Sequence, residues 1–202
     1  WSVRVGADDH VAAVLLWPLD TAVRAAAPGV DLTVSTPGVD PFVELVRGEL
    51  DVLLGPFDAR RPDLHAAPLF DDPFVCVLRA GHPAASGELT LNGLAGLEHV
   101  QVSTGSHGPD PVDAALAAKH RDRRVTRRVP TGWLGAVLVA RSDLAMVVPR
   151  SIALTWSVAM PVVLRALPMP VPPVRVQAVW HDRVADDPRL AWLLGEIRAV
   201  LG

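Results

Sequence analysis

The sequence predicts an α/β protein in which strands and helices alternate along the chain. Strand-like segments, with alternating or continuous apolar residues, are separated by segments whose apolar residues recur at helical spacing. The segment Leu50–Leu54 is almost entirely apolar, as expected of a parallel strand covered on both faces. The same alternation starts again after Gly81, so we expect two doubly wound units, each with helices on both faces of its sheet.

The first unit begins with a strand over Trp1–Gly6. Asp8 or Asp9 can cap a helix that extends to about Ala27. Pro18 lies within this helical pattern and predicts either a kink or a start later than Asp9. The remaining elements of this unit are the strand Val30–Thr36, the helix Phe42–Arg47 behind Asp40-Pro41, and the strand Leu50–Leu54.

Two strands joined by the turn Asp71-Asp72-Pro73 lead into the second unit. The predicted strands from here to residue 167 are Leu64–Phe70, Phe74–Leu78, Val100–Ser103, Arg124–Val129, Leu144–Val148 and Val162–Leu167. The predicted helices are Leu91–Leu97, Pro111–Lys119, Gly132–Ala140 and Ser151–Trp156. After a proline-rich connector, the strand Val174–Trp180 and a last helix containing Leu190 and Ile197 are expected to return to the first unit as a buried parallel element.

Composition excludes several classes of protein. The 202 residues carry a net charge of −3, which excludes a strongly basic protein, and one cysteine cannot form an internal disulfide. The longest uncharged stretch, Ser151–Leu164, is shorter than the about 20 apolar residues that span a bilayer. The glycine-rich phosphate loops, nucleophile elbows, zinc motifs and paired cysteines of common enzymes are missing, so no catalytic activity, cofactor or metal is expected.

Polar residues follow several of the predicted strands, where ligands of open α/β sheets bind. Asp8-Asp9-His10 follow the first strand, although one aspartate capping the helix with the others in solvent explains them equally well. Ser103–Ser106 offer hydroxyls and amides, as an ordinary loop also would, and Thr131–Trp133 open a helix. The basic run Lys119–Arg128 predicts a strand with a solvated face; contact with nucleic acid is the less favoured interpretation.

Several segments, in this order and spacing, resemble the effector-binding domain of LysR-type transcriptional regulators over essentially the whole chain. They are Val3–Ala7, Leu15–Leu19, Pro28–Leu32, Leu45–Gly55, Gly81–Ala84, Leu89–Leu91 and Ser142–Arg150. Within that family, Phe57–Phe74, Arg79 and Trp180-His181 resemble the branch that contains the nodulation regulators.

The resemblance implies a fold like that of type 2 periplasmic binding proteins, with two Rossmann-like subdomains joined by crossing strands and a ligand cleft between them. Residues 1–75 plus 175–202 would form one subdomain and residues 79–168 the other. It also implies a cytoplasmic homodimer, and it allows a tetramer for the full-length regulator. DNA would be bound only through an N-terminal winged helix-turn-helix domain, which these 202 residues do not contain.

By the same resemblance, a small-molecule effector would be bound by residues that follow the strands of both subdomains. These are Asp8, Asp9, His10, Thr36, Gly55, Pro56, Phe57, Ser103, Thr104, Gly105, Ser106, Thr131, Gly132 and Trp133. Trp133 and Phe57 suit a flat ring, whereas Asp8 and Asp9 disfavour an anion, so the expected effector is a mainly neutral, hydroxylated aromatic compound or one with a cationic group.

Two other classes of protein remain open. The first alternative is the solute-binding component of an importer, which shares the fold implied above. The second is an enzyme on that fold, such as a transferase, for which only Asp9 and His10 offer an acid/base pair.

Overall fold

A computed structural model describes residues 1–103 and 110–201 of the chain. The strands are β1 (Ser2–Ala7), β2 (Asp31–Ser35), β3 (Val52–Gly55), β4 (Leu64–Asp72), β5 (Phe74–Arg79), β6 (Glu98–Val102), β7 (Arg124–Val129), β8 (Met146–Pro149), β9 (Val162–Ala166) and β10 (Val174–His181). The helices are α1 (Asp9–Ala26), α2 (Pro41–Arg47), α3 (Leu91–Ala95), α4 (Pro111–Ala117), α5 (Gly132–Val139), α6 (Arg150–Ala159) and α7 (Pro188–Leu201).

The chain divides into two compact units, each with its own sheet structure. Unit 1 consists of Trp1–Asp71 and Arg175–Gly202, and unit 2 consists of Asp72–Val174. The chain passes from one unit to the other at the end of β4 and again at the start of β10. The mixed α/β fold class expected from the alternating pattern is therefore confirmed.

The sheet of unit 1 has the strand order β2-β1-β3-β10-β4. β1 is parallel to both β2 and β3, as the alternation of strands and helices predicted. β10, however, is antiparallel to β3, so the expectation of a parallel last strand is wrong. The sequence could not show this direction, because a strand buried on both faces has the same apolar pattern whichever way it runs. The strand is antiparallel because β10 enters this sheet directly from unit 2, without the crossover helix that a parallel neighbour needs.

Two long helices of unit 1, α1 and α7, contact each other. The inward-facing residues of α1 are Val11, Leu15, Leu19 and Val23, and those of α7 are Leu190, Leu193, Leu194 and Ile197. The helix α1 begins at Asp9, with Asp8 as its N-cap, and continues past Pro18, so a start later than Asp9 is wrong. The N-cap hydrogen bond and the burial of four apolar side chains stabilise α1 despite the backbone hydrogen bond that Pro18 cannot donate.

Unit 2 contains an antiparallel sheet with the order β8-β5-β9 and a parallel pair, β6-β7. A bridge between His99 and Ala145 links β6 to the residue just before β8. The core includes Cys76, Leu78, Leu94 and Leu116. Cys76 is fully buried, and burial raises the pKa of its thiol to about 12.

The contact between α1 and α7 leads to a testable prediction about the stability of the domain. Ile197 in α7 is fully buried, and we expect Ile197→Ala to lower the free energy of unfolding by about 2–5 kcal/mol through lost burial and the cavity left behind. Urea denaturation followed by tryptophan fluorescence measures this change. Val39→Ala truncates a fully exposed side chain and serves as the control, with an effect within about 0.5 kcal/mol of zero. Equal effects of the two variants would show that α7 does not belong to the core of unit 1.

Candidate functional site

The carboxyl ends of β1, β2 and β3 lie side by side at one edge of the sheet of unit 1. In the register of the sheet, Gly6 is paired with Ser35 on one side and with Leu53 on the other. The residues that follow these strands are therefore neighbours: Asp8 after β1, Thr36 after β2, and Pro56 and Phe57 after β3. In parallel α/β sheets this is the edge at which ligands bind.

Asp8 is the residue at this edge whose environment is best defined. Its Oδ1 accepts a hydrogen bond from the backbone N–H of Val11 at 2.8 Å, which caps the first turn of α1. Burial raises the pKa of this half-buried carboxyl, against the lowering effects of the Val11 hydrogen bond and the charge of His10, while the charge of Asp9 adds to the increase. Asp9 is exposed in the first turn and His10 is half-buried. Asp8, and not Asp9, therefore caps α1.

Phe57 packs back onto the core of its own unit. Its ring lies edge-on to Phe42 with the ring centroids 6.4 Å apart, and it borders the cluster that contains Leu45 and Leu53. A Cβ atom on Gly55 would lie 2.7 Å from Cε2 of Phe57, so only glycine lets the ring cover the end of β3. The backbone carbonyl of Phe57 also accepts a hydrogen bond from the side-chain amide of Gln177.

Pro56 and Thr36 are exposed, whereas Gly55 is buried. The residues expected to contact an effector from unit 1 are therefore of two kinds. Asp8, Gly55 and Phe57 are half-buried or buried and are fixed by contacts within the unit, while Asp9, Pro56 and Thr36 are exposed.

In unit 2, the corresponding edge is formed by the carboxyl ends of β6 and β7. The backbone N–H of Ser103, just after β6, donates to the carbonyl oxygen of Val129 at 2.8 Å. Thr131 caps α5 through a long hydrogen bond of 3.5 Å from the backbone N–H of Leu134 to its Oγ1. Gly132 is buried, but Trp133 remains 52% exposed. Thr104, Gly105 and Ser106 lie outside the described residues.

A buried arginine just before β7 was not found by sequence reasoning. The Arg123 side chain is only 2% exposed; its Nε donates to Asp113 at 2.6 Å and its Nη2 lies 3.0 Å from Asp110 Oδ2. Arg123 therefore departs from the solvated face predicted for the basic run. The run Lys119–Arg128 contains one lysine and five arginines, and nothing in the sequence marks which arginine is buried.

Asp110 is the N-cap of α4 and connects this arginine to β6. It accepts hydrogen bonds from the Gln101 amide at 2.8 Å and from the backbone N–H groups of Val112 and Asp113. Burial alone would raise the pKa of the Asp110 carboxyl, but the charge of Arg123 and these hydrogen bonds together hold it below its usual value. The pair Asp110-Pro111 is the sequence feature that could have identified this cap.

Neither metal chemistry nor a membrane span is indicated by the geometry of residues 1–103 and 110–201. Across these ranges, no three His, Cys, Asp or Glu side chains are grouped so that they could hold a metal ion. No helix within the same ranges is both long and apolar enough to cross a bilayer.

Comparison with known proteins shows the family of this chain. The family model described as the LysR substrate binding domain matches residues 2–202. The chain belongs to the LysR substrate-binding domain family. Relatives with curated names include the HTH-type transcriptional regulator SyrM of Rhizobium etli, which is 33% identical over 196 residues that cover 96% of this chain and 57% of that protein.

The expected resemblance of this LysR domain to nodulation regulators is also confirmed. Nodulation protein D 1 of Sinorhizobium fredii is 25% identical over 193 residues, covering 95% of this chain and 60% of that protein. The LysR domain thus spans less than two thirds of the length of these relatives. The first relative is named as a transcriptional regulator and the second as a nodulation protein, and neither comparison supports the alternative of an importer component.

Solved structures confirm the fold of the LysR domain. The regulatory domain of MexT, a transcriptional activator in Pseudomonas aeruginosa, superposes with a TM-score of 0.85 and 25% identity, covering 98% of this chain and 97% of that one. A transcriptional regulator from Vibrio parahaemolyticus gives a TM-score of 0.87 at 20% identity, over 99% of this chain and 93% of that one. The type 2 periplasmic-binding-protein fold implied by the resemblance is therefore confirmed.

Asp8 and Asp110 have pKa shifts of opposite direction, which predicts opposite effects of pH. Burial makes the ionised form of Asp8 unfavourable in the folded domain. Asp8→Asn should therefore increase the free energy of unfolding more and more as pH rises from 3.8, the ordinary pKa of this carboxyl, through the raised pKa of Asp8 in the folded domain. Ionised Asp110 stabilises the fold above pH 3.8, and this contribution is lost as pH falls through its lowered pKa. Asp110→Asn should therefore be most destabilising near neutral pH.

The measurement is the urea midpoint of both variants and the parent between roughly pH 3 and 7. Asparagine keeps the capping oxygen at each position, so loss of the cap does not mask the effect of charge. Changes in stability that run in the same direction with pH for both variants would contradict the two assigned environments.

Proposed function

We propose that this LysR domain is the effector-sensing part of a cytoplasmic, DNA-binding transcriptional regulator. The proposal rests on the family match and on relatives named as HTH-type regulators. DNA binding is assigned to a part of the regulator outside these 202 residues, because the chain has a net charge of −3 and the relatives are considerably longer. Control of transcription would then depend on a small molecule bound by this domain, which we propose is not an enzyme.

The proposed effector contacts are the residues that follow the parallel strands of each unit. In unit 1 they are Asp8, Asp9, His10, Thr36, Gly55, Pro56 and Phe57. In unit 2 the described ones are Ser103, Thr131, Gly132 and Trp133, and Thr104, Gly105 and Ser106 are proposed with them from the sequence. The observation that carries this proposal is the adjacency of three strand ends in unit 1, which places an acidic cap, a hydroxyl and an aromatic ring at one edge of the sheet.

The chemistry of these residues favours a mainly neutral, hydroxylated aromatic effector, or one with a cationic group near Asp8 and Asp9. The amide of Val11 at the start of α1 is already bonded to the Asp8 carboxyl, so this N–H is not available to an anionic effector. An added carboxylate near Asp8 and Asp9 would also meet like charge. The exposed face of Trp133 and the hydroxyls of Ser103 and Thr131 suit a flat ring with hydroxyl substituents.

Thermal-shift measurements test this preference. A neutral phenolic that binds the domain should add about 2.7 kcal/mol of stability at roughly 100 times its Kd. For a chain of this size that corresponds to a Tm increase of about 5–10 °C. Matched aromatic carboxylates should give a smaller increase with the parent and a larger one with Asp9→Asn, which removes a negative charge from an exposed position.

The opposite ranking would overturn the proposed polarity. If aromatic carboxylates stabilise the parent while neutral phenolics do not, and Asp9→Asn leaves that ranking unchanged, the two aspartates do not select the effector. Trp133→Ala tests the site independently of charge, because it should reduce the shift given by every aromatic compound.

We also propose that the domain forms a homodimer through two apolar surfaces that each copy carries. One surface is the outer face of α1, where Leu16 is 43% and Trp17 is 78% exposed, next to the edge strand β2. The other is a groove of about 770 Å³ between α6 and the edge strand β9, bordered by Leu154. Since every copy has both surfaces, the α1 face of one copy can be covered by the α6 groove of another, in a closed pair.

Equilibrium sedimentation tests the homodimer. The parent should be dimeric at tens of micromolar, and Trp17→Asp should weaken the dimer by about 30-fold or more, as expected for a buried aromatic at an interface. Val39→Asp introduces the same charge at a fully exposed side chain outside both surfaces and should leave the dimer unchanged. A parent that remains monomeric at these concentrations would contradict the pairing of α1 with α6.

A further inference from the structure

The basic run found in the sequence lies at an open edge of a sheet in unit 2. Within the described residues, β7 pairs with β6 on one side and with no strand on the other. An edge strand of this kind presents backbone N–H and C=O groups that can pair with a further strand. The effector site proposed above uses the carboxyl end of β7, not its outer side.

Most cations of this run are not neutralised by a carboxylate. Arg123 is bound by Asp110 and Asp113, and Arg124 by Glu98 at 2.5 Å. Arg121 donates to the side-chain oxygen of Asn92 and Arg127 to the carbonyl oxygen of Thr126, both of which are uncharged. Lys119 and Arg128 make no hydrogen bond or ion pair with their side chains inside the described ranges. The cations without a carboxylate partner are Lys119, Arg121, Arg127 and Arg128, which we call the basic edge.

The basic edge has cations on both sides of the strand. Successive side chains of a strand point to opposite faces, and Arg127 and Arg128 are consecutive and both exposed. Their guanidinium groups therefore flank the open hydrogen-bonding edge of β7 from its two faces. Lys119 and Arg121, also exposed, precede the start of the strand and add positive charge at that end.

We propose that β7 binds an extended, acidic segment of a partner protein, which adds to the sheet as a further strand. Backbone hydrogen bonds along the open edge would supply affinity, as in other cases where a peptide adds to a sheet. Acidic side chains of the added strand also alternate between the two faces, so successive ones meet Arg127 on one face and Arg128 on the other. The partner is thus defined by an extended conformation and by negative charge on both of its faces.

An acidic protein segment fits these observations better than a nucleic acid. A phosphate backbone cannot use the N–H and C=O groups of a strand edge as a ladder, and it would meet cations on one face only. The chain as a whole also carries a net charge of −3, which opposes non-specific binding of DNA. Arginines can also occupy an edge strand simply to prevent unwanted pairing, and in that case no acidic peptide would bind there.

The experiment measures, by fluorescence anisotropy, binding to the 202-residue chain of a fluorescein-labelled peptide in which pairs of consecutive glutamates alternate with pairs of valines. In an extended conformation this peptide carries glutamate on both faces. We expect the parent to bind, and Arg127→Glu with Arg128→Glu to weaken binding by about tenfold or more. The milder pair Arg127→Gln and Arg128→Gln should weaken it less, and circular dichroism checks that both variants fold. Arg47→Glu with Arg198→Glu changes the net charge equally at exposed positions of unit 1 and should leave binding unchanged.

Two further probes distinguish a strand from a charged surface. The same glutamate peptide with alternate backbone amides methylated keeps its charge but cannot form the ladder, and we expect it to bind about tenfold more weakly or worse. A short DNA duplex of random sequence should bind more weakly than the unmodified peptide. The proposal is overturned if the glutamate peptide does not bind, if methylation of its amides has no effect, or if the duplex binds more tightly through Arg127 and Arg128.

Discussion

Burial of the central strands on both faces is the constraint on which unit 1 depends. Every residue of β3 is buried, and the three residues at the end of β1 are buried as well. Strands of this kind require helices packed on the sheet, and in unit 1 α1 packs on β1 and α2 on β3. The buried segments hold no polar side chain, and the polar residues that follow them lie in the loops beyond their carboxyl ends. The location of the proposed effector contacts is therefore a consequence of how the core is built.

The features that could be predicted from sequence are those with a local signature. The continuous apolar run of β3, the apolar spacing along α1 and the cap at Asp40-Pro41 each depend on residues close together in the chain. The direction of β10 could not be predicted this way, because its apolar pattern is the same whether it runs parallel or antiparallel to β3. Direction is decided by how the chain returns from unit 2, which is not a local property.

The polar residues of the site also divide into those whose role depends on nearby residues in the sequence and those whose role depends on distant ones. The sequence identified Asp8 and Asp9 as alternatives for capping α1, and the structure assigns the cap to Asp8. The sequence did not separate Arg123 from its basic neighbours, because its burial arises from Asp110 and Asp113, more than nine residues away and on a different element. Charge is thus used in two ways in this chain. Some charged groups hold elements in place from within, whereas those of the basic edge face outward.

The environment of Cys76 makes the domain convenient for spectroscopy. The thiol is fully buried in unit 2, and its pKa of about 12 leaves almost no thiolate at neutral pH. Since the thiolate is the form that attacks maleimides and disulfide reagents, the native cysteine should not compete for a label in the folded domain. Single cysteines introduced at exposed positions of either unit could therefore carry spin or fluorescent labels in an otherwise unaltered chain. Distances between such labels would report directly on how the two units are arranged with and without effector.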